Sequence, residues 1–161
     1  MPSTLYLKPG DILLYRPSSV FGTLISVKTW HRISHVEVYD GDKNSLASRD
    51  GQGVARYPVR LDHLAYVLRA TQRLDLAKGR AYFESLKGTP YGWWDLLNFV
   101  GAPVNAKGIV CSPFAAGYLR AAGWNVFPED PIEKVAPFQF LDLVGKACVV
   151  VYEADTAHLT A

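Results

Sequence analysis

The sequence predicts an α+β domain built on an antiparallel sheet of about five to six strands, and three observations carry the prediction. Residues 11 to 70 hold short apolar or alternating runs separated by Gly- and Asp-rich turns, the pattern of consecutive strands. From residue 74 the apolar positions recur at helical spacing instead. Strands followed by segregated helices form two layers around one core. The chain has 161 residues, 49% hydrophobic and 20% charged, which suits one ordered domain over residues 1–161.

Pro9-Gly10 is a turn signal that leads into Asp11-Ile12-Leu13-Leu14-Tyr15-Arg16, a run suited to a buried strand. Ser18-Ser19 supplies hydroxyl caps for a helix that runs to about residue 30. A second strand is expected over residues 34–39. Its alternation places His35, Glu37 and Tyr39 on one face and Val36 and Val38 on the other. Asp40-Gly41-Asp42 reads as a hairpin turn, residues 45–48 as the returning strand, and Gly51-Gln52-Gly53 as the next turn. Residues 54–59 and 65–70 read as two further strands. A helix is expected over residues 74–86, stopped by Gly88, and a short one over residues 94–100. Residues 112–122 form another, with Pro113 in the first turn and Gly123 closing it. Residues 146–153 are the last strand, whose Val149-Val150-Val151 run predicts burial; residues 155–161 read as a mobile tail.

Composition narrows the function classes. Net charge is +2 with the basic residues scattered, which gives no footprint for nucleic acid. No apolar run approaches the roughly 20 residues of a membrane span. The opening Met1-Pro2-Ser3-Thr4 lacks the basic and apolar stretches of a secretory signal, so a cytoplasmic protein is expected, with delivery by a phage or secretion system as the alternative. In that compartment Cys111 and Cys148 are expected as free thiols. Neither has the paired spacing of a zinc site, and no two histidines have ligand spacing on one predicted element. No metal and no cofactor are therefore expected.

Cys111 stands at the start of the helix over residues 112–122. Unpaired backbone N–H groups and the positive end of the helix dipole favour a thiolate there, and the thiolate is the reactive form. The competing reading is a buried structural cysteine, which also describes Cys148 in its apolar strand. A nucleophilic cysteine needs a base. Of the four histidines, His158 lies in the tail, His63 in a surface turn and His31 at a helix end. His35 alone sits on a strand, beside Glu37, although spacing by itself does not bring it to Cys111.

Three segments resemble the permuted branch of the NlpC-type, papain-like hydrolases, which includes the YiiX/YaeF-like proteins and the lecithin:retinol acyltransferase-like proteins. Pro9-Gly10-Asp11-Ile12-Leu13-Leu14-Tyr15 is similar to the opening strand of such domains. Ile33-Ser34-His35-Val36-Glu37-Val38-Tyr39-Asp40-Gly41 resembles the strand that carries the catalytic histidine. Gly88-Thr89-Pro90-Tyr91-Gly92-Trp93, followed by Val110-Cys111-Ser112, is similar to the family's tyrosine motif and Cys-Ser helix start. Histidine before cysteine is the order of the permuted branch. The resemblance implies a circularly permuted papain-like fold, with Cys111 as nucleophile, His35 as base, and Tyr91 beside the Cys111 N–H as a donor to the oxyanion. For Tyr91 the alternative is a half-buried core tyrosine.

The departure from the family lies in the third polar residue. Relatives carry a histidine, glutamate or glutamine on the strand after the catalytic histidine, where the simplest alignment puts Ala47. Ser48, Asp50, Glu37 or no residue at all are the alternatives, and Glu37 also reads as an exposed strand carboxylate. Trp93, Trp94 and Phe99 are candidates for an apolar groove, or for core. Arg49 and Arg56 are candidates for a substrate carboxylate, or simply solvated. Val110-Cys111-Ser112-Pro113 is nearer the peptidase and amidase-like branch than the Asn-Cys-Glu-His of the acyltransferases. The expectation is an amidase or peptidase acting on a peptide or amide-containing small substrate, such as a cell-wall peptide. A thiol acyltransferase or lipid esterase, and a non-catalytic binding domain, are the alternatives.

Overall fold

The computed structural model describes residues 5–18, 32–92 and 110–154. Six strands form one antiparallel sheet: β1 (Ile12–Tyr15), β2 (His35–Gly41), β3 (Asn44–Arg49), β4 (Gly53–Pro58), β5 (Leu64–Ala70) and β6 (Cys148–Glu153), in the order β4-β3-β2-β1-β5-β6. Helices α1 (Leu76–Leu86) and α2 (Cys111–Ala121) pack against each other, and two short 3-10 helices, Ile132–Lys134 and Pro137–Leu143, precede β6. The α+β class and the antiparallel sheet thus follow the sequence. The helices expected to follow Ser18-Ser19 and over residues 94–100, and the tail, lie outside the described residues. No helix among the described residues is long and apolar enough to cross a membrane.

The sheet has two unlike faces. Ile12, Leu14, Val36, Val38 and Leu46 join Cys111, Phe114, Ala115 and Leu119 of α2 in the main core. Leu13, Tyr15, Tyr39, Leu64 and Val67 form a smaller cluster on the other side. The period-2 alternation of β1 and β2 accounts for this division. The β2–β3 turn falls one residue later than expected: Asp42 and Lys43 both hold left-handed backbone, with φ of 50° and 61°. That geometry is the type I′ turn, whose twist matches the flanking strands. It pairs Gly41 with Asn44, and a bulge between Tyr39 and Gly41 then shifts the ladder by one residue to Tyr39↔Ser45 and Val38↔Leu46.

The Val149-Val150-Val151 run corrects a sequence expectation. These valines are 48%, 38% and 37% exposed. Among the described strands β6 lies at one edge of the sheet and pairs with β5, with a register shift that leaves Val151 as an extra residue. An apolar run reads the same in an interior strand and at an edge; the bulge here is one of the devices that protect an edge from further pairing.

Glycine lets two elements approach where a side chain would not fit. Gly53, at φ +79°, admits the backbone of Thr89, and a Cβ there would collide with the Thr89 carbonyl. Val54 N–H donates to Thr89 O at 2.9 Å and Gly88 N–H to Val54 O at 2.9 Å, so the segment carrying Tyr91 is stitched to β4. Between the helices, Gly79 of α1 lies under the Tyr118 ring, and Gly117 of α2 lies under Tyr82. A Cβ on Gly79 would sit 2.5 Å from the buried Tyr118 ring. Gly79→Ala is expected to destabilise the fold by about 1–3 kcal/mol through this overlap, despite alanine's better helix propensity. Urea unfolding checks this; a more stable variant would show that the notch is slack.

Candidate active site

α2 begins on Cys111, and its N-cap residue, Val110, makes no side-chain capping bond. The N-cap side chain therefore takes up none of the first N–H groups of the helix. β2 begins on His35. The start of α2 meets the start of β2, which brings the Cys111 thiol within hydrogen-bonding reach of the His35 imidazole. Backbone N–H groups of Val36 and Ser112 also donate to the sulfur. Cys111 is 2% exposed, whereas the His35 side chain keeps 16% of its surface open to solvent.

The far side of the imidazole is occupied. His35 Nε2 lies 3.0 Å from Glu37 Oε1, two residues along the same face of β2. This leaves Nδ1 as the ring nitrogen for the thiol. Glu37 is fully buried, which corrects its reading as an exposed strand carboxylate. Its burial is compensated on every side. The Ser45 hydroxyl donates to Oε2, Arg49 Nε donates to Oε1 at 2.8 Å, and Arg49 Nη2 donates to Oε2 at 3.1 Å. Arg60 Nη2 stands 3.5 Å from Oε1. A buried carboxylate is tolerable only with such a set of partners.

The charges follow from this arrangement. Burial would raise the Glu37 carboxyl, but the hydrogen bonds and charges of His35 and then Arg49 hold it well below the usual range. Burial would lower His35, but the charge and hydrogen bond of Cys111, and then those of Glu37, push it up to about 9. Burial would raise Cys111; the His35 charge and hydrogen bond, with the Val36 and Ser112 N–H groups, bring it down instead. The two shifts act in one sense: each moves its group toward the charged form, thiolate for Cys111 and imidazolium for His35. Cys148 is the contrast: burial alone acts on it and pushes its thiol up to about 11.

Ser48 is buried on β3, but it shares the parity of Leu46, which opposes Val38; it is therefore on the opposite face of the sheet from His35 and Glu37. Asp50 lies in the turn after β3, within electrostatic range of His35, and does not take the Nε2 position that Glu37 fills. Tyr91 is buried; burial first, then the nearby charges of Cys111 and Asp50, raise its hydroxyl pKa. Arg49 and Arg56 are not poised for a substrate carboxylate, because Arg49 is turned onto Glu37 and Arg56 onto Asp40 at 3.0 Å. His63 is exposed in its turn. His31, His158, Trp93, Trp94 and Phe99 lie outside the described residues. Among the described residues no cluster of three His, Cys, Asp or Glu is placed to hold a metal.

Ser45, Arg60 and the inward role of Arg49 were not read from the sequence. The hairpin register was the available signal: Ser45 opposes Tyr39, so Ser45, Ala47 and Arg49 all project to the Glu37 face. Arg60, beyond β4, offered no comparable local signal. No protein-family model matches the chain, and no curated protein matches it.

Proposed function

We propose that the protein is a cysteine hydrolase of the amidase or peptidase type, with Cys111 as nucleophile, His35 as acid and base, and Glu37 as the residue that orients His35. One observation carries the reading: the thiol at the start of α2 lies within hydrogen-bonding reach of an imidazole whose Nε2 is held by a buried carboxylate. A thiolate–imidazolium pair of this kind is an activated nucleophile with its acid already charged. The histidine-before-cysteine order matches the permuted NlpC-type branch that the three sequence segments resemble.

In this mechanism the Cys111 sulfur attacks the carbonyl carbon, and the carbonyl electrons move onto oxygen. The Cys111 N–H and the Tyr91 hydroxyl are the proposed donors to that oxyanion. His35 gives its proton to the leaving amine as the C–N bond breaks, leaving acyl-Cys111 and a neutral imidazole. Neutral His35 then takes a proton from water, whose oxygen attacks the thioester; the acid departs and the thiolate returns.

The substrate class is a peptide or other amide, and cell-wall stem peptides are the first to test. The purified protein is incubated with such peptides and, separately, with phospholipid, and products and Cys111 adducts are read by mass spectrometry. Peptide cleavage that disappears in Cys111→Ser is the expected result. An acyl-Cys111 adduct from lipid with no peptide cleavage would move the assignment to acyl transfer. Turnover that survives in Cys111→Ser would reject the nucleophile.

A further inference from the structure

We propose that Arg49 is a positioning residue for the Cys111–His35 pair: its guanidinium fork fixes the Glu37 carboxylate against His35 Nε2. The inference rests on the reading of that pair as catalytic. Both oxygens of Glu37 are held, Oε1 by His35 and Arg49 Nε, Oε2 by Ser45 and Arg49 Nη2. A carboxylate gripped on both oxygens cannot turn away from the imidazole, and a bidentate arginine imposes its plane as well as its charge. Arg49 is itself fixed. Its Nη2 donates to Pro58 O at 3.0 Å, and its guanidinium lies 4.4 Å from the centre of the Tyr57 ring. The Tyr57 hydroxyl in turn donates to Gly53 O at 2.6 Å.

Relatives in the resembled family carry the orienting residue on the strand after the histidine. Here that strand is β3, and the buried Ala47 stands between Ser45 and Arg49 on the Glu37 face. Alanine has no group to offer the imidazole. The orienter has moved onto the histidine's own strand, and β3 supplies its support from either side of Ala47. Among the described residues, the groups that face or electrostatically reach Glu37 are Tyr15 from β1, His35 from β2, Ser45 and Arg49 from β3, Tyr57 from β4, and Arg60 beyond it. Arg49 is the one that touches both carboxylate oxygens through a charged fork.

The test compares wild type with Arg49→Met and Arg49→Lys by two titrations. The first follows the Glu37 side-chain carboxyl by 13C NMR, assigned by its loss in Glu37→Gln. The second follows the rate of Cys111 carbamidomethylation against pH, read by mass spectrometry with Cys148 as an internal report on unfolding. Removing a cation in contact with a carboxylate raises its titration by about 1–3 units, so the Glu37 midpoint is expected to rise by that amount in Arg49→Met. The acid inflection of Cys111 labelling is expected to rise with it. Arg49→Lys, which keeps the charge without the fork, recovers part of both shifts and stands in should Arg49→Met fail to fold. Glu37 titrating as in wild type in both variants overturns the inference. So does a Glu37 shift that leaves the Cys111 inflection unmoved, since Arg49 would then be structural only. A wild-type Cys111 with an ordinary thiol inflection rejects the hydrolase reading, and Glu37 NMR still judges the Arg49 contact by itself.

Discussion

The native protein is expected to label at Cys111 and not at Cys148 with iodoacetamide, with the Cys111 inflection below the ordinary thiol range and restored to about 8.5 or above in His35→Ala. Cys111 owes its lowered pKa to the His35 charge and hydrogen bond ahead of the Val36 and Ser112 N–H groups. Without His35 the burial that remains works in the opposite direction. The inflection is a better readout than the rate. A thiolate of lower pKa is more abundant at acid pH but less nucleophilic, with a Brønsted slope of about 0.4–0.5. Each unit of separation therefore multiplies the acid-side rate by about three- to fourfold rather than tenfold. Limited access to the buried sulfur scales the whole curve and leaves its inflection in place. Cys148, at 1% exposure and raised to about 11, is expected to stay unmodified while the fold holds. Equal, slow labelling of both thiols, with one shared inflection, would remove the physical basis for a nucleophile.

Glu37→Ala is expected to cost about 2–4 kcal/mol of stability, about 1 kcal/mol less than is usual for breaking a buried ion pair. The discount reflects Arg49, which is 12% exposed and keeps its bond to Pro58 O and its place over Tyr57. For a chain of this size the loss corresponds to a melting temperature lower by roughly 5–15 °C. The pH dependence has a definite sign. Glu37 titrates lower in the folded protein than its ordinary value of 4.5, so its stabilisation is complete above that value and is lost as pH falls toward the folded one. The gap in melting temperature between wild type and Glu37→Ala should be constant from neutral pH down to about 5, and should narrow below about 4. Thermal scans across that range decide it: a gap that is absent at neutral pH, or that widens in acid, would show that Glu37 is not held as a paired carboxylate.

The strands and their turns were legible because alternation and turn chemistry act over a few residues. His35, Glu37 and Tyr39 were placed on one face by period alone, and the structure keeps them there. What covers that face was not legible. Glu37 is buried by Arg49 and Arg60, 12 and 23 positions away, and no local pattern shows which side of a strand distant cations will close. Ser48 illustrates the same sensitivity from the other direction: one position in register separates the His35 face from the α2 face, and the bulge between Tyr39 and Gly41, which follows the turn at Asp42 and Lys43, decides which it takes. The meeting of Cys111 with His35 depends on tertiary packing between α2 and β2, so spacing was silent and the family resemblance supplied the pairing. Val149 to Val151 were misread because hydrophobicity records what a residue can bury, whereas sheet order decides what finds a neighbour.

The seating of Gly117 beneath Tyr82 has a mechanical consequence for the thiol. It acts as an index pin between two shafts. α1 and α2 can slide past one another only by lifting an aromatic ring out of a notch cut for it, and Tyr118 over Gly79 is a second such seat. One residue of slip would carry the start of α2 about 1.5 Å along its axis and turn it by roughly 100°. Reacting groups misplaced by about 1 Å already lose much of their rate. In the proposed hydrolase the aim of the sulfur is thus set six residues downstream of Cys111, by the width of a missing side chain.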